Sequence, residues 1–224
     1  MTENTNRFID THLIDLLGQE VQNLEREFQS NKAMLLTEED LKCHLFMRLH
    51  RRFPSFQATK QSTIMGLAVH SAASFFDANE NLRYLPDLSI IPPAELSILE
   101  SENYEITADH TFNRVPLRTK GFEFGGDSLA IELKFCRKET GIDKNLISAL
   151  QADFNKLKTL YDLHRTRTEG VSHILGAVVV FNKTDLGRHR ITQFIARNQH
   201  EHVRIFYATG NVDFSALIRN QAVR

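Results

Sequence analysis

Apolar residues near the start of the chain recur at alternating steps of three and four: Ile14, Leu17, Val21, Leu24 and Phe28. That spacing predicts a helix over 8–29 with one apolar stripe. The seam runs for about two heptads, short of the roughly three or four that a sustained coiled coil needs. Packing on the chain's own core is therefore expected, with a helix-swapped homodimer through this helix as the alternative. A second helix is predicted from Thr37 in "LTEEDLKCHLFMRLHRRF", with Leu41, Leu45 and Leu49 as its stripe. Thr37 is placed as N-cap, Asp40 stands where a capping box needs its acceptor, and acids fill the first turn. Arg51 and Arg52 close the helix before Pro54, where cations suit the carbonyl end.

The period then shortens to that of strands. "STIMGLAVHSAASFF" reads as one or two strands with Gly66 as a bulge, and "ANEN" as a turn. "LRYLPDLSII" reads as a strand entered through Pro86 and stopped by Pro92 and Pro93. Residues 94–120 are polar, acid-rich and without a clear period, which predicts an irregular insertion with room for a short helix. After a turn at "EFGGD" comes the strand "SLAIELKFCR". The amphipathic helix "DKNLISALQADFNKLKTLYDLHR" follows, lined by Leu146, Ala149, Leu150, Phe154, Leu157 and Tyr161. "SHILGAVVVFN" is apolar throughout, as interior strands are; "RITQFIARNQ" reads as a helix and "VRIFYATG" as a last strand. From Thr37 the order is αβββαβαβ. The simplest division is an N-terminal helical extension, 1–36, and one domain, 37–224.

With 224 residues and a hydrophobic fraction of 42%, the chain can bury a core without a disulfide or structural metal. Its two cysteines, Cys43 and Cys136, lie far apart and read as reduced thiols of a cytosolic protein. The start "MTENTNRFID" has no signal-peptide pattern, and "ILGAVVVF" is too short to span a bilayer, so no membrane is expected. A net charge of −1 says nothing about nucleic acid, but its distribution is uneven. No acid lies between Asp40 and Asp77, where Lys42, Arg48, Arg51, Arg52 and Lys60 fall. Residues 77–109 hold eight acids against Arg83 alone, and Arg188, Arg190 and Arg197 fall in an acid-free stretch between Asp185 and Glu201. A phosphate-binding surface around an acidic site has this distribution; on charge alone, two solvated faces are the simpler account.

One strand carries a chemical anomaly. In "DSLAIELKFCRKE", Ile131, Leu133 and Phe135 form an apolar face, so Glu132 and Lys134 share the other. A carboxylate and an ammonium in a core strand cost stability unless they pair or bind something. Forty-five residues upstream, Asp87 follows Pro86 in the strand "YLPDLSII". Pro-Asp followed by Glu-x-Lys resembles the PD-(D/E)xK nuclease superfamily, over roughly residues 37–181. The helix "QADFNKLKTL" adds a D-x-x-K-L pattern often seen in such nucleases.

The resemblance implies an α/β restriction-endonuclease-like fold: a mixed central sheet flanked by helices, core αβββαβ, with Asp87 on the second strand and Glu132 and Lys134 on the third. It implies hydrolysis of phosphodiester bonds, in DNA ahead of RNA, with Mg²⁺ or Mn²⁺. Such ions take hard oxygen ligands. Asp87 and Glu132 supply carboxylates, and the main-chain carbonyl of Leu133 is implied as a further ligand. In this family an acid from the first helix often completes the site; Glu38 is chosen for its register with Leu41 and Leu45, with Glu39 and Asp40 as close rivals. Lys134 is placed beside the attacking water, to orient it, lower its pKa or stabilise developing charge. Gln151 and Lys156 could reach phosphate or metal-bound water, and Arg48, Arg51, Arg52 and Lys60 the nucleic-acid backbone; an ordinary solvated face is the plainer alternative for each. His70 reads as a satisfied strand residue, and His200 and His202 as a helix end rather than a zinc site. No phosphate loop, GxSxG or HExxH is present. Two other readings stay open: a non-catalytic nucleic-acid-binding or assembly subunit on the same fold, and a hydrolase acting on a small phosphate compound.

Overall fold

The computed structural model describes residues 3–76, 82–98, 104–106, 112–114, 122–124, 126–167, 169–170 and 173–213. Two helices come first, α1 (Glu3–Ser30) and α2 (Glu38–His50). Five strands form the central sheet: β1 (Val69–Ser71), β2 (Leu88–Ile90), β3 (Ser128–Cys136), β4 (Ile174–Asn182) and β5 (Val203–Thr209). Helix α3 (Lys144–Arg167) connects β3 to β4, and α4 (Arg188–Arg197) connects β4 to β5. The spatial order is β5-β4-β3-β2-β1. β1, β2 and β3 pair antiparallel; β3, β4 and β5 pair parallel, as helical crossovers require. The chain is thus a mixed α/β structure.

Strand alternation divides the core in two. Leu129, Ile131, Leu133 and Phe135 of β3 and Ala177, Val179 and Phe181 of β4 belong to one cluster with the α1 and α2 stripes, Leu17, Val21, Leu24, Phe28, Leu41, Leu45 and Leu49. Ala130, Val178 and Val180 join Leu150, Phe154 and Leu157 of α3 and Ile191 and Phe194 of α4. All nine residues of β4 are buried, which its unbroken apolar run predicts. The stripe of α1 is likewise buried in this core: Leu17, Leu24 and Phe28 have no exposed surface. Among the described residues no helix is long and apolar enough to cross a membrane.

The start of α2 is fixed locally, and that fixes Glu38. Thr37 Oγ1 accepts from Asp40 N at 3.1 Å, and Asp40 Oδ2 accepts from Thr37 N at 2.9 Å and from Leu36 N at 3.0 Å. The expected capping box is present. These backbone donors hold the Asp40 carboxyl below the usual aspartate range.

Four expectations are corrected. The segment predicted as one or two strands divides into Met65–Gly66, which pairs with Gln57–Ala58, then β1, then Phe75–Phe76, which pairs with Leu82–Tyr84. The break after β1 falls at Ala72, whose φ of 54° is left-handed. Gly66 lies opposite Gln57 in regular register, not in a bulge. "LRYLPDLSII" is two strands, Leu82–Tyr84 and β2, separated around Pro86, which has no N–H to give a ladder. The stretch 94–120, read as an irregular insertion, is entered through a 3₁₀ turn, Pro93–Glu95, and holds β-ribbon: Tyr104–Ile106 pairs with Phe112–Arg114, and Leu96–Ile98 pairs with Phe122–Phe124, which takes the first two residues of the turn expected at "EFGGD". The turn expected at "ANEN" lies outside the described residues.

Candidate active site

The site forms where β2 leaves β3. The β2–β3 register runs Ile90↔Leu129, Ser89↔Ala130, Leu88↔Ile131, so Asp87 is the next residue on β2's side as Glu132 is on β3's. Beyond that point, side-chain carboxylates take the place of a strand. Asp87 Oδ2 accepts from Leu133 N at 2.8 Å, and two residues on Glu38 Oε2 accepts from Phe135 N at 2.9 Å. Alternate N–H groups of a strand point to the same neighbour, so the edge of β3 left by β2 is satisfied in turn by an acid from β2's end and one from the first turn of α2.

The second half of the site comes from α3. Glu132 and Lys134 face the helix, and α3 runs back along β3. Two residues of strand advance about 6.6 Å and three of helix about 4.5 Å, so E-x-K on the strand meets D-x-x-K on the helix in reverse order. Glu132 Oε1 accepts from the Lys156 ammonium. Lys134 Nζ lies 3.1 Å from Asp153 Oδ2, 3.9 Å from Glu38 Oε1, and donates to the Leu133 carbonyl at 3.0 Å.

Electrostatics follow from burial and crowding. Glu132 is 4% exposed. Burial pushes its pKa up to about 7; the Lys156 hydrogen bond and charge oppose this, while the carboxylates of Asp153 and Asp87 add to it. Lys134 is affected in the opposite sense. Burial disfavours its charge, but the carboxylates of Asp153, Glu38 and Asp87 outweigh that and hold its pKa above the usual lysine value. The side chain of Glu38 is 47% exposed and that of Lys134 22%, so the cluster opens to the surface at the start of α2, with Glu132 at its floor.

Six side chains are thus gathered: Glu38, Asp87, Glu132 and Asp153 against Lys134 and Lys156. Four carboxylates and two ammonium groups leave two negative charges unbalanced when all are ionised. Hard oxygens with that excess suit a divalent cation. Asp87, Glu132, the Leu133 carbonyl and Glu38 are the groups that could hold one. Among the described residues no three His, Cys, Asp or Glu side chains converge closely enough to hold a metal as they stand. The Glu132 carboxylate and the Leu133 carbonyl each carry an ammonium instead.

Other sequence candidates lie elsewhere. Arg48 pairs with Glu27 and lies 3.6 Å from Glu20 Oε2. Arg52 donates to Glu20 Oε1 through Nε at 2.7 Å and also through its terminal nitrogen. Both fasten α2 to α1. Arg51 is the exposed C-cap of α2, and Lys60 sits 3.7 Å from Glu95 Oε2. Gln151 donates to Asn155 at 3.0 Å and Asn198 at 3.1 Å, toward the end of α4. Glu39 projects outward beside Lys42, and Asp40 serves the cap. His70 of β1 stands opposite Ser89 of β2 with its pKa lowered by burial, and its buried Nε2 has no hydrogen-bond partner among the described residues, so it is not the fully satisfied strand residue expected. His200 Nδ1 accepts from His202 N at 3.2 Å, and His202 stacks on Tyr161 at 4.1 Å between ring centres. Asp153 joins the site without being among the sequence candidates; its one signal in the sequence is its position three residues before Lys156 in D-x-x-K-L.

No family model, curated protein or solved structure matches this chain.

Proposed function

We propose that the chain is a metal-dependent nuclease of the PD-(D/E)xK kind, cleaving phosphodiester bonds with Mg²⁺ or Mn²⁺, in DNA ahead of RNA. The observation that carries this reading is the gathering of Asp87, Glu132, Lys134 and Glu38 at one opening of the sheet with two negative charges in excess. The arrangement of α2, β1, β2, β3, α3 and β4, antiparallel through β3 and parallel across α3, supports a restriction-endonuclease-like framework.

Asp87, Glu132, the Leu133 carbonyl and Glu38 would hold the cation, which when bound supplies an activated water and charge relief at the phosphate. The remaining work belongs to the chain. Backbone N–H groups of Leu133 and Phe135 fix one oxygen each of Asp87 and Glu38, which leaves the second oxygen of Asp87 for a ligand, while Glu38 Oε1 lies 3.9 Å from Lys134. Asp153 holds the Lys134 ammonium and keeps it protonated. Lys134 therefore acts as a donor that orients water and stabilises developing negative charge, not as the base. The half-exposed Glu38 marks the side from which a polymer approaches.

The test is cleavage of plasmid, single-stranded DNA and RNA with Mg²⁺ or Mn²⁺, wild type beside Asp87→Ala and Lys134→Ala. Each variant is expected to lose about 100-fold or more; equal rates in all three would eliminate the site. A second reading has its own support. The pairs Glu132–Lys156 and Lys134–Asp153 are internal, as a non-catalytic nucleic-acid-binding or assembly subunit on this framework would have them. Nucleic-acid binding without cation uptake or cleavage would select that reading.

A further inference from the structure

Two groups assigned above to the cation are already in contact with positive charge. The Lys156 ammonium rests on Glu132 Oε1, and Lys134 Nζ lies 3.0 Å from the Leu133 carbonyl. Their situations differ. Lys134 has Asp153 at 3.1 Å and Glu38 at 3.9 Å to hold it beside the site. Lys156 lies directly on the innermost carboxylate. A divalent cation and an ammonium in contact with one buried carboxylate repel strongly where water screens little, so uptake of the first disfavours the second.

The displaced lysine does not need Asp153, which already holds Lys134. The Lys156 side chain is 27% exposed, so its four-carbon stem has room to turn outward.

Resting on the cation-dependent reading above, we propose that Lys156 is a resident counter-ion: a positioning residue that holds Glu132 in the cation-free protein and is exchanged for the divalent cation on binding. Removing that competitor costs the cation-free state its pairing and leaves the loaded state unaffected. The exchange therefore sets the affinity of the site and discriminates by charge, because a monovalent ion gains little by replacing an ammonium.

The experiment is calorimetric titration of Mn²⁺ and of Ca²⁺ onto the full chain, without nucleic acid, for wild type, Lys156→Met and Lys156→Arg. Lys156→Met removes the competing charge at similar length and is expected to tighten binding about tenfold, the scale of a coupling of ~1.4 kcal/mol. Lys156→Arg offers a two-pronged grip on the carboxylate and is expected to weaken binding. A smaller rise in melting temperature on adding Mn²⁺ for Lys156→Arg than for wild type reads the same ordering. Should Lys156→Met fail to fold, the arginine variant decides alone: binding equal to or tighter than wild type overturns the proposal. Cation binding to wild type with no difference among the variants overturns it while leaving the nuclease reading in place. Failure of every form to take up a divalent cation removes both.

Discussion

Replacing Glu132 with glutamine should make the cation-free protein more stable while removing the proposed cleavage. The Glu132 carboxyl has its pKa pushed to about 7 from an ordinary 4.5, chiefly by burial. An acid whose pKa is raised on folding binds its proton more tightly in the native state, so stability falls as pH rises from 4.5 to 7 and the full cost is present above 7. The interval corresponds to about 3 kcal/mol at pH 8 and under about 1 kcal/mol at pH 5. Glutamine keeps the shape and an oxygen to accept from Lys156, but never ionises. Urea melts of Glu132→Gln and wild type in chelator at pH 5 and pH 8 measure the difference. At pH 8 a gain of about 3 kcal/mol raises the melting temperature of a chain this size by about 6–12 °C. A variant no more stable than wild type at pH 8, or a gain that fails to shrink toward pH 5, would refute the claim that Glu132 is a carboxylate under electrostatic stress.

Other expectations follow from the same geometry. Thr37→Ala should lower stability by about 1 kcal/mol in urea melts and reduce cleavage beyond that, because the cap it removes places Glu38 one residue later; unchanged cleavage by folded variant would separate Glu38 from the site. Arg48→Met combined with Arg52→Met leaves the buried Glu20 without its partners and should cost about 3 kcal/mol, while nucleic-acid affinity in filter binding stays near wild type; lost affinity with stability intact would return these arginines to the substrate surface. Gly141→Ala should destabilise, since φ there is +70° and a Cβ would collide with the Leu186 backbone; a melting temperature equal to wild type would count against that turn.

What could be read from the sequence was mostly what neighbours in the chain decide. The cap at Thr37 and Asp40, the stripe Leu41–Leu45–Leu49 and the shared face of Glu132 and Lys134 depend on spacings of two to four residues. Features decided by distant partners were harder to read. Arg48 and Arg52 looked like free cations because Glu20 and Glu27 lie on another helix. Asp153 is not legible from spacing alone, because only the reversed course of α3 along β3 brings it to Lys134. The ribbons between Leu96 and Phe124 are three residues a strand, and pairing, more than their own composition, supports pieces that short.

Asp87 and Glu38 hold up strand β3 whether or not any chemistry occurs. Each accepts a main-chain N–H of β3 beyond the point where β2 ends. On the proposed function, a descendant without cleavage would still be selected to keep both acids for folding, and Lys134 and Lys156 would be the positions free to drift. Between related chains, then, a living site and a silent one would be told apart by their lysines sooner than by their acids.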